Sequence, residues 1–248
     1  CFHKTYRGEN RMITYGWYPV FIRQMMLFRR KIMKMGYVFS AMMMPVVYLV
    51  AFGFGLRGSV NISGMDYLSF LVPGLAAMSS MNNSYNWVAS SLNLNRLYFK
   101  CFQTFIQAPI TSYSILTGEI MAGMVRGLFA SLFIIAVGLV FADFHITLPF
   151  LTALIFNSFL FAAMGVVIGM ITKTHEDTST WSNFLIMPMA FFSGTFFPVE
   201  NMSRILKYFI YILPLTHTNI LIRKQHFDGG AFIALSILII YATIFFIM

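Results

Sequence analysis

The sequence predicts an all-α integral membrane protein with six membrane-spanning helices, and three observations lead to this fold class. Of the 248 residues, 58% are hydrophobic and only 10% are charged, whereas a soluble domain usually carries about 25% charged residues. Apolar segments near the ~20 residues that a helical span requires recur along the chain. Lys and Arg residues concentrate near the N-terminus, as they do in cytoplasmic segments of membrane proteins.

The first predicted element is an amphipathic helix over residues 17–34. Arg23, Arg30 and Lys34 fall on one face at 100° per residue. The opposite face is apolar and holds Trp17, Phe21, Met25, Phe28 and Ile32. We expect such a helix to lie in the membrane interface, near anionic headgroups. The alternative, a charged helix on a soluble surface, is disfavoured by the apolar segment that follows.

Six apolar segments follow this helix and are predicted to span the membrane. Their approximate bounds are 35–56, 67–88, 114–141, 149–172, 181–198 and 229–248. With the N-terminus inside, the cytoplasmic segments hold eleven Lys and Arg residues and the opposite side holds five. This bias predicts that both termini are cytoplasmic. Residues 17–248 are assigned to the transmembrane domain, and residues 1–16 to an N-terminal segment of upstream or added sequence.

The segment 199–228 is too long for a tight turn and too apolar for a loop. It contains Pro214 and follows Pro198. Two short helices broken at Pro214 and dipping into the outer leaflet fit this pattern. Non-helical backbone at that depth must be buried against protein or water. A single amphipathic helix on the outer surface is the alternative.

Polar residues in the predicted spans are the candidate functional residues. In the second span Ser79, Asn82 or Asn83, Asn86 and Ser90 follow helical spacing, so one stripe collects them. They either line a pathway or hold helices together by hydrogen bonds.

Two charged residues, Glu119 and Arg126, share one face of the third span. They fit a gate or a salt bridge, and structural pairing is an equal alternative. The pairs Gly123/Gly127 and Gly165/Gly169 permit close helix approach.

The sequence offers no catalytic constellation. It contains no phosphate-cradling G-x-x-x-x-G-K-[ST] loop and no H-E-x-x-H zinc motif. The adjacent His175, Glu176 and Asp177 fit a solvated turn better than a metal site, and Cys1 and Cys101 imply no disulfide. We therefore predict no enzyme and no cofactor of its own. The net charge of +9 beside a membrane favours lipid headgroups over nucleic acid as the partner.

Four patches of the sequence are distinctive together. They are Tyr67-Leu-Ser-Phe-Leu-Val-Pro-Gly-Leu75; Gln107-Ala-Pro-Ile-Thr111 with Gly118-Glu119; Phe192-Ser-Gly-Thr-Phe-Phe-Pro-Val199; and Leu213-Pro-Leu-Thr-His217 with Arg223. Through these patches, which occur in the family's order, the chain resembles ABC-2 type transporter permeases, especially lipo-oligosaccharide and drug exporters. The resemblance extends from about residue 15 onward.

The resemblance implies a half-transporter of the inner membrane that pairs with a second copy and exports its cargo. Two copies of a separate ABC ATPase subunit would bind ATP and Mg²⁺. Residues 17–34 would be the interface helix, residues 97–108 a coupling helix, and Pro198–Arg223 re-entrant extracellular helices. Candidate coupling residues are Arg96, Lys100, Phe102, Gln107 and Pro109. Candidate pathway residues are Tyr48, Asn82, Tyr85, Asn86, Phe191, Phe192 and Phe196.

Two other classes of function remain as alternatives. A stand-alone secondary transporter or channel usually shows several intramembrane ionisable residues or internal repeats, and this chain offers only Glu119 and Arg126. A membrane-embedded acyl- or glycosyltransferase would need a catalytic cluster at one membrane face. Co-purification with an ATPase distinguishes the permease from both.

Overall fold

A computed structural model of the protein describes residues 16–55, 61–62, 65–100, 107, 110–142, 145–199 and 202–248, which form a helical bundle. Its helices are α1 (Trp17–Ile32), α2 (Met35–Tyr48), α3 (Tyr67–Asn93), α4 (Ser112–Phe141), α5 (Leu148–Ile171), α6 (His175–Phe192), α7 (Arg204–Ile212), α8 (Pro214–Ile222) and α9 (Gly229–Ile247). Two further segments, Leu49–Phe54 and Leu94–Tyr98, extend α2 and α3 as π-helix. Two short antiparallel strands of two residues each, β1 (Asn61–Ile62) and β2 (Met65–Asp66), precede α3.

The central element is α3, which packs against α4 and α5. Glycines on the neighbouring helices make this close approach possible. A Cβ on Gly165 would lie 2.7 Å from the Tyr85 carbonyl oxygen, and one on Gly169 would lie 2.9 Å from the Ala89 carbonyl oxygen. The prediction that these glycines allow close helix packing is therefore confirmed.

Several polar residues of α3 join helices rather than line a path. Ser79 donates to the Ala130 carbonyl at 3.2 Å, and Ser80 lies 2.6 Å from Ser158. Asn157 of α5 donates to the Ala77 carbonyl at 3.0 Å. In an apolar surrounding such bonds replace the water that these groups would otherwise need. For Ser79, interhelical bonding is therefore the observed role.

Helices occupy all six predicted span positions. Among the described residues three are long and apolar enough to cross a membrane by themselves: α4, α5 and α9. The serines and asparagines of α3 lower its mean hydropathy. The helix α2 has only 14 residues, and α6 begins with charged residues. The count of six spans thus stays a prediction.

The predicted bounds 181–198 are wrong for α6. A capping box starts the helix earlier, because Thr174 accepts from the Asp177 N–H at 2.9 Å and Asp177 accepts from the Thr174 N–H at 3.1 Å. The helix ends at Phe192, and Gly194 then turns the chain with φ of +78°. His175 and Glu176 thus belong to the first helical turn and not to a loop.

The stripe of α1 that faces the bundle was not predicted from the sequence. Val20, Gln24 and Phe28 are buried against the bundle, whereas Trp17 and Phe21 of the predicted apolar face are half-buried. A polar residue thus lies at the centre of the buried stripe, and the interfacial placement of the apolar face stays a prediction. The helix ends at Ile32, two residues before the predicted end.

The predicted break at Pro214 is confirmed: α7 and α8 meet at 93°. Polar side chains lie within hydrogen-bond distance of three carbonyls in the last turn of α7. Thr216 donates to the Ile210 carbonyl at 2.7 Å, and Tyr241 donates to the Ile212 carbonyl at 2.8 Å. The His217 Nε2 lies 2.9 Å from the Tyr211 carbonyl oxygen. The position of this pair in the outer leaflet stays a prediction.

Candidate functional site

A groove of about 830 Å³ runs between α1, α2, α3 and α6. Its walls combine positively charged, carboxamide, hydroxyl, apolar and aromatic side chains. The lining residues are Leu27, Arg30, Lys31, Lys34, Met44, Pro45, Tyr48, Met78, Asn82, Asn83, Asn86, Trp87, Ser90, Ser91, Leu94, Asn95, Phe99, His175, Ser182, Asn183, Ile186, Met187, Ala190 and Phe191.

The middle of the groove is a carboxamide band on α3. Asn82 and Asn83 each donate to the carbonyl four residues earlier, at 3.1 and 3.0 Å, and are half-buried. Asn86, one turn further, is exposed to the groove. Helical spacing brings these residues to one face, as the sequence predicts. The band offers neutral hydrogen-bonding groups to whatever enters.

One end of the groove is aromatic. The Tyr48 ring lies 5.8 Å from the Phe191 ring and 5.2 Å from the Phe196 ring. Phe196 is buried behind these two and stacks on Phe191 at 5.4 Å. Such ring pairs stabilise one another beyond the area that they bury. Tyr48 and Phe191 therefore form a wall that Phe196 supports.

The groove is basic where α1 passes Trp87 of α3, and we call this part its basic end. Arg30 and Lys31 of α1 and Lys34 beyond it line the groove. The Lys31 Nζ lies 4.0 Å from the centre of the Trp87 ring, a cation–π contact. Burial lowers the pKa of Lys31, and the nearby charges of Arg126 and Lys34 lower it further. Positive charge is thus concentrated at this end.

A buried polar cluster fastens α1 to α4 beneath the basic end. The Gln24 Nε2 donates to the Glu119 Oε1 at 2.6 Å, and the Arg126 Nη2 donates to the Gln24 carbonyl at 2.7 Å. All three residues are at most 1% exposed. The Arg126 guanidinium also stacks over Trp87, 3.4 Å from the ring centre. Glu119 and Arg126 therefore share a partner on α1, which gives both residues a structural role.

Sequence reasoning missed Gln24. Its position four residues after Val20 and four before Phe28 is the only local signal, since i and i+4 share a helix face. Trp87 was missed too, although it lies one position after Asn86 and lines the groove.

Three predicted pathway residues, Tyr85, Phe192 and Phe196, lie outside the groove lining. Tyr85 is fully buried in the hydrophobic core. Phe192 is 48% exposed and is not part of the lining, although its neighbour in sequence, Phe191, is. Phe196 supports the wall from behind. Of the interface-helix residues, Arg30 and Lys34 line the groove and Arg23 is half-buried.

The predicted coupling residues are only partly described. Arg96 donates to the carbonyls of Met170 and Thr172 at the end of α5, so its side chain ties the segment after α3 to α5. Lys100 and Gln107 are exposed. Phe102 and Pro109 lie outside the described residues.

Three of the four sequence patches named above meet where α6 ends. The Tyr67 hydroxyl donates to the Phe196 carbonyl at 3.1 Å. Arg223 donates to the Thr195 carbonyl at 3.3 Å, and its guanidinium lies 3.7 Å from the centre of the Phe70 ring. These contacts fix the turn that carries Phe196, and hence the aromatic end of the groove.

Comparison with known proteins agrees with this architecture. The sequence profile of the ABC-2 type transporter family matches residues 18–227. The chain is 31% identical over 155 residues to the inner membrane transport permease YadH of Escherichia coli strain K12, a match that covers 61% of this chain and 60% of that protein.

More distant relatives are matched over a greater length. Nodulation protein J of Sinorhizobium fredii is 26% identical over 210 residues, covering 82% of this chain and 80% of that protein. Nodulation protein J of Bradyrhizobium diazoefficiens is 24% identical over 220 residues, covering 88% and 83%. Because the family profile covers most of the chain and three helices can span a bilayer, this membrane protein belongs to the ABC-2 type transporter family.

Proposed function

We propose that the chain is the permease subunit of an ATP-driven exporter, and that the groove is its half of the translocation pathway. The observation that carries the proposal is the groove, in which a carboxamide band lies beside an aromatic wall. The chain belongs to a transporter family, and a translocation pathway is the role that such a groove fits there. A second copy of the chain would complete the pathway. Its cargo would be a lipid-linked or oligosaccharide compound, or a hydrophobic one.

The energy would come from a separate subunit. The sequence contains no phosphate-cradling loop, so ATP and Mg²⁺ would bind to an ABC ATPase, two copies to each permease pair. The segment after α3 is the proposed docking site, with Lys100 and Gln107 exposed there. The membrane would be the inner membrane, with six spans and both termini in the cytoplasm.

The polar cluster suggests how motion reaches the groove. Gln24 ties α1 to α4, and Lys31 and Arg126 both lie over Trp87 of α3. A rigid-body movement of these helices would therefore displace α1, which forms one wall of the groove. Such a movement drives transport only if the cargo interacts differently with the two states.

The test is reconstitution. The tagged chain is co-expressed with its ABC ATPase, purified and placed in proteoliposomes. We expect a stable complex and uptake of a fluorescent lipid-linked oligosaccharide that requires ATP. A complex whose ATPase carries a substitution of its catalytic carboxylate is the control, and it should be inactive.

A different result would favour the alternative of a stand-alone secondary transporter. If proteoliposomes of the chain alone move solute under an ion gradient, without any nucleotide, the proposal is wrong.

A further inference from the structure

Among the described residues that line the groove, positive side chains outnumber negative ones. Three carry a positive charge, namely Arg30, Lys31 and Lys34, and none carries a carboxylate. Of the carboxylates on the neighbouring helices α4 and α6, Glu119 accepts a hydrogen bond from Gln24 and Asp177 accepts from the Thr174 backbone, while Glu176 is exposed and lies outside the lining. Among the described residues, the lining thus supplies three positive charges and no negative one.

The three kinds of side chain follow one another along the groove. On α3 and its π-helical extension the lining extends from Met78 to Asn95, roughly 25 Å at 1.5 Å per residue. Asn93 donates to Thr172 and Thr174, just before α6 begins, so α6 runs antiparallel to α3. Phe191 thus lies at the Met78 end and His175 at the Asn95 end, and Lys31 lies over Trp87 between them.

We propose that the groove binds an amphiphile with an anionic headgroup. The headgroup would lie against Arg30, Lys31 and Lys34, the neutral polar part against the carboxamide band, and the apolar chain against Tyr48 and Phe191. Arginine and lysine are the side chains that recognise phosphate and carboxylate. The same charges repel a cationic amphiphile, so the basic end would set specificity.

A resident membrane lipid and an exported cargo share this chemistry. The identification of the amphiphile as cargo rests on the proposed function, whereas its binding does not. The experiment therefore measures binding first, on the chain without an ATPase.

Trp87 provides the signal, since it lines the groove next to Asn86 and its ring contacts the Lys31 Nζ. The chain with W17F and W181F keeps this residue as its single tryptophan. It is placed in phosphatidylcholine nanodiscs. Two probes with the same brominated acyl chain are titrated, one with a phosphate monoester headgroup and one with a maltoside. Because the chains are identical, both probes partition equally through their tails.

We expect the phosphate probe to quench Trp87 saturably and to bind about tenfold more tightly than the maltoside probe. The double variant R30Q/K34Q should weaken binding of the phosphate probe about tenfold and leave that of the maltoside probe unchanged. Arg29 is exposed on the same helix but outside the lining, so R29Q is the matched control and should change neither. Equal affinity for the two probes, or equal effects of R29Q and R30Q/K34Q, would overturn the proposal.

A second measurement separates the two sources of the amphiphile. The phosphate probe is bound to the complex with its ATPase, and ATP is added. Release of the probe on ATP hydrolysis supports an anionic cargo, and retention supports the same site with a resident lipid. If the chain alone binds the phosphate probe selectively but the complex transports nothing, the proposed function fails while the binding site stands.

Discussion

Gln24 ties the first helix to α4 through two groups. Its side-chain amide donates to Glu119, and its backbone carbonyl accepts from Arg126. Within a bundle of apolar helices, a carboxylate that loses its donor has no water to replace it. The amphipathic helix therefore docks with a definite rotation, because only one face presents Gln24 between Val20 and Phe28.

Replacement of Gln24 by Met tests this role. The change keeps the length of the side chain and removes the donor to Glu119, so we expect a loss of about 2 kcal/mol in the free energy of unfolding. Unfolding in mixed detergent micelles measures it. Met26 of the same helix is 63% exposed, and M26L should stay within about 0.5 kcal/mol. Equal effects of the two substitutions would contradict the role of Gln24.

Two asparagines of the central helix separate a groove residue from a packing residue. Asn86 is exposed in the groove, whereas Asn93 is buried and donates to Thr172 at 3.1 Å. We expect N86L to change transport with little effect on the melting temperature. N93L should lower the melting temperature, because buried polar atoms lose a partner. If N86L changes only the melting temperature, Asn86 is a packing residue.

At the scale of an element, the break between α7 and α8 is a polar feature built from distant side chains. The exposed side of α7 is apolar, with Ile205, Tyr208, Phe209 and Ile212 at helical spacing. Three carbonyls in its last turn have side-chain partners on α8 and α9. Such partners make a break of this kind tolerable in an apolar surrounding.

Replacement of Thr216 by Val should therefore destabilise the break. The fully buried hydroxyl donates to the Ile210 carbonyl at 2.7 Å, and its loss should cost about 1–2 kcal/mol. Denaturant unfolding measures the change. Thr243 is exposed and donates to the Ile239 carbonyl of its own helix, so T243V should cost less than about 0.5 kcal/mol. A T216V chain as stable as T243V would refute this account.

At the scale of the whole molecule, the proposed transporter needs a contact with its ATPase. Gln107 is exposed, and with Pro109 it belongs to the patch proposed for coupling. Replacement of both by Ala should reduce ATPase docking and transport about tenfold while membrane insertion is unchanged. Pull-down with the ATPase measures docking. Thr152 is half-buried on α5, outside the coupling segment, and T152A is the control. Unchanged docking in the double variant would exclude this segment.

Local features account for most of what could be predicted. Helical periodicity predicts α3 and the stripe from Asn82 to Asn86 from neighbouring residues alone, and Pro214 predicts the break after α7. The start of α6 was missed, although the capping box of Thr174 and Asp177 is a local signal. The polarity of Thr174 and Asp177 indicated a loop, because a solvated turn and the exposed first turn of a helix contain the same types of residue.

The sequence by itself determined that the chain is a bundle of apolar helices in a membrane, since composition and apolar length depend on no tertiary contact. It also determined which face of α3 is polar. Only the tertiary structure decided which of these residues meet. The groove combines side chains from Leu27 to Phe191, and Gln24 reaches a carboxylate 95 residues away. Periodicity records the face of a residue within its own helix but not the helix opposite, so Tyr85 could be assigned to the pathway and Gln24 overlooked.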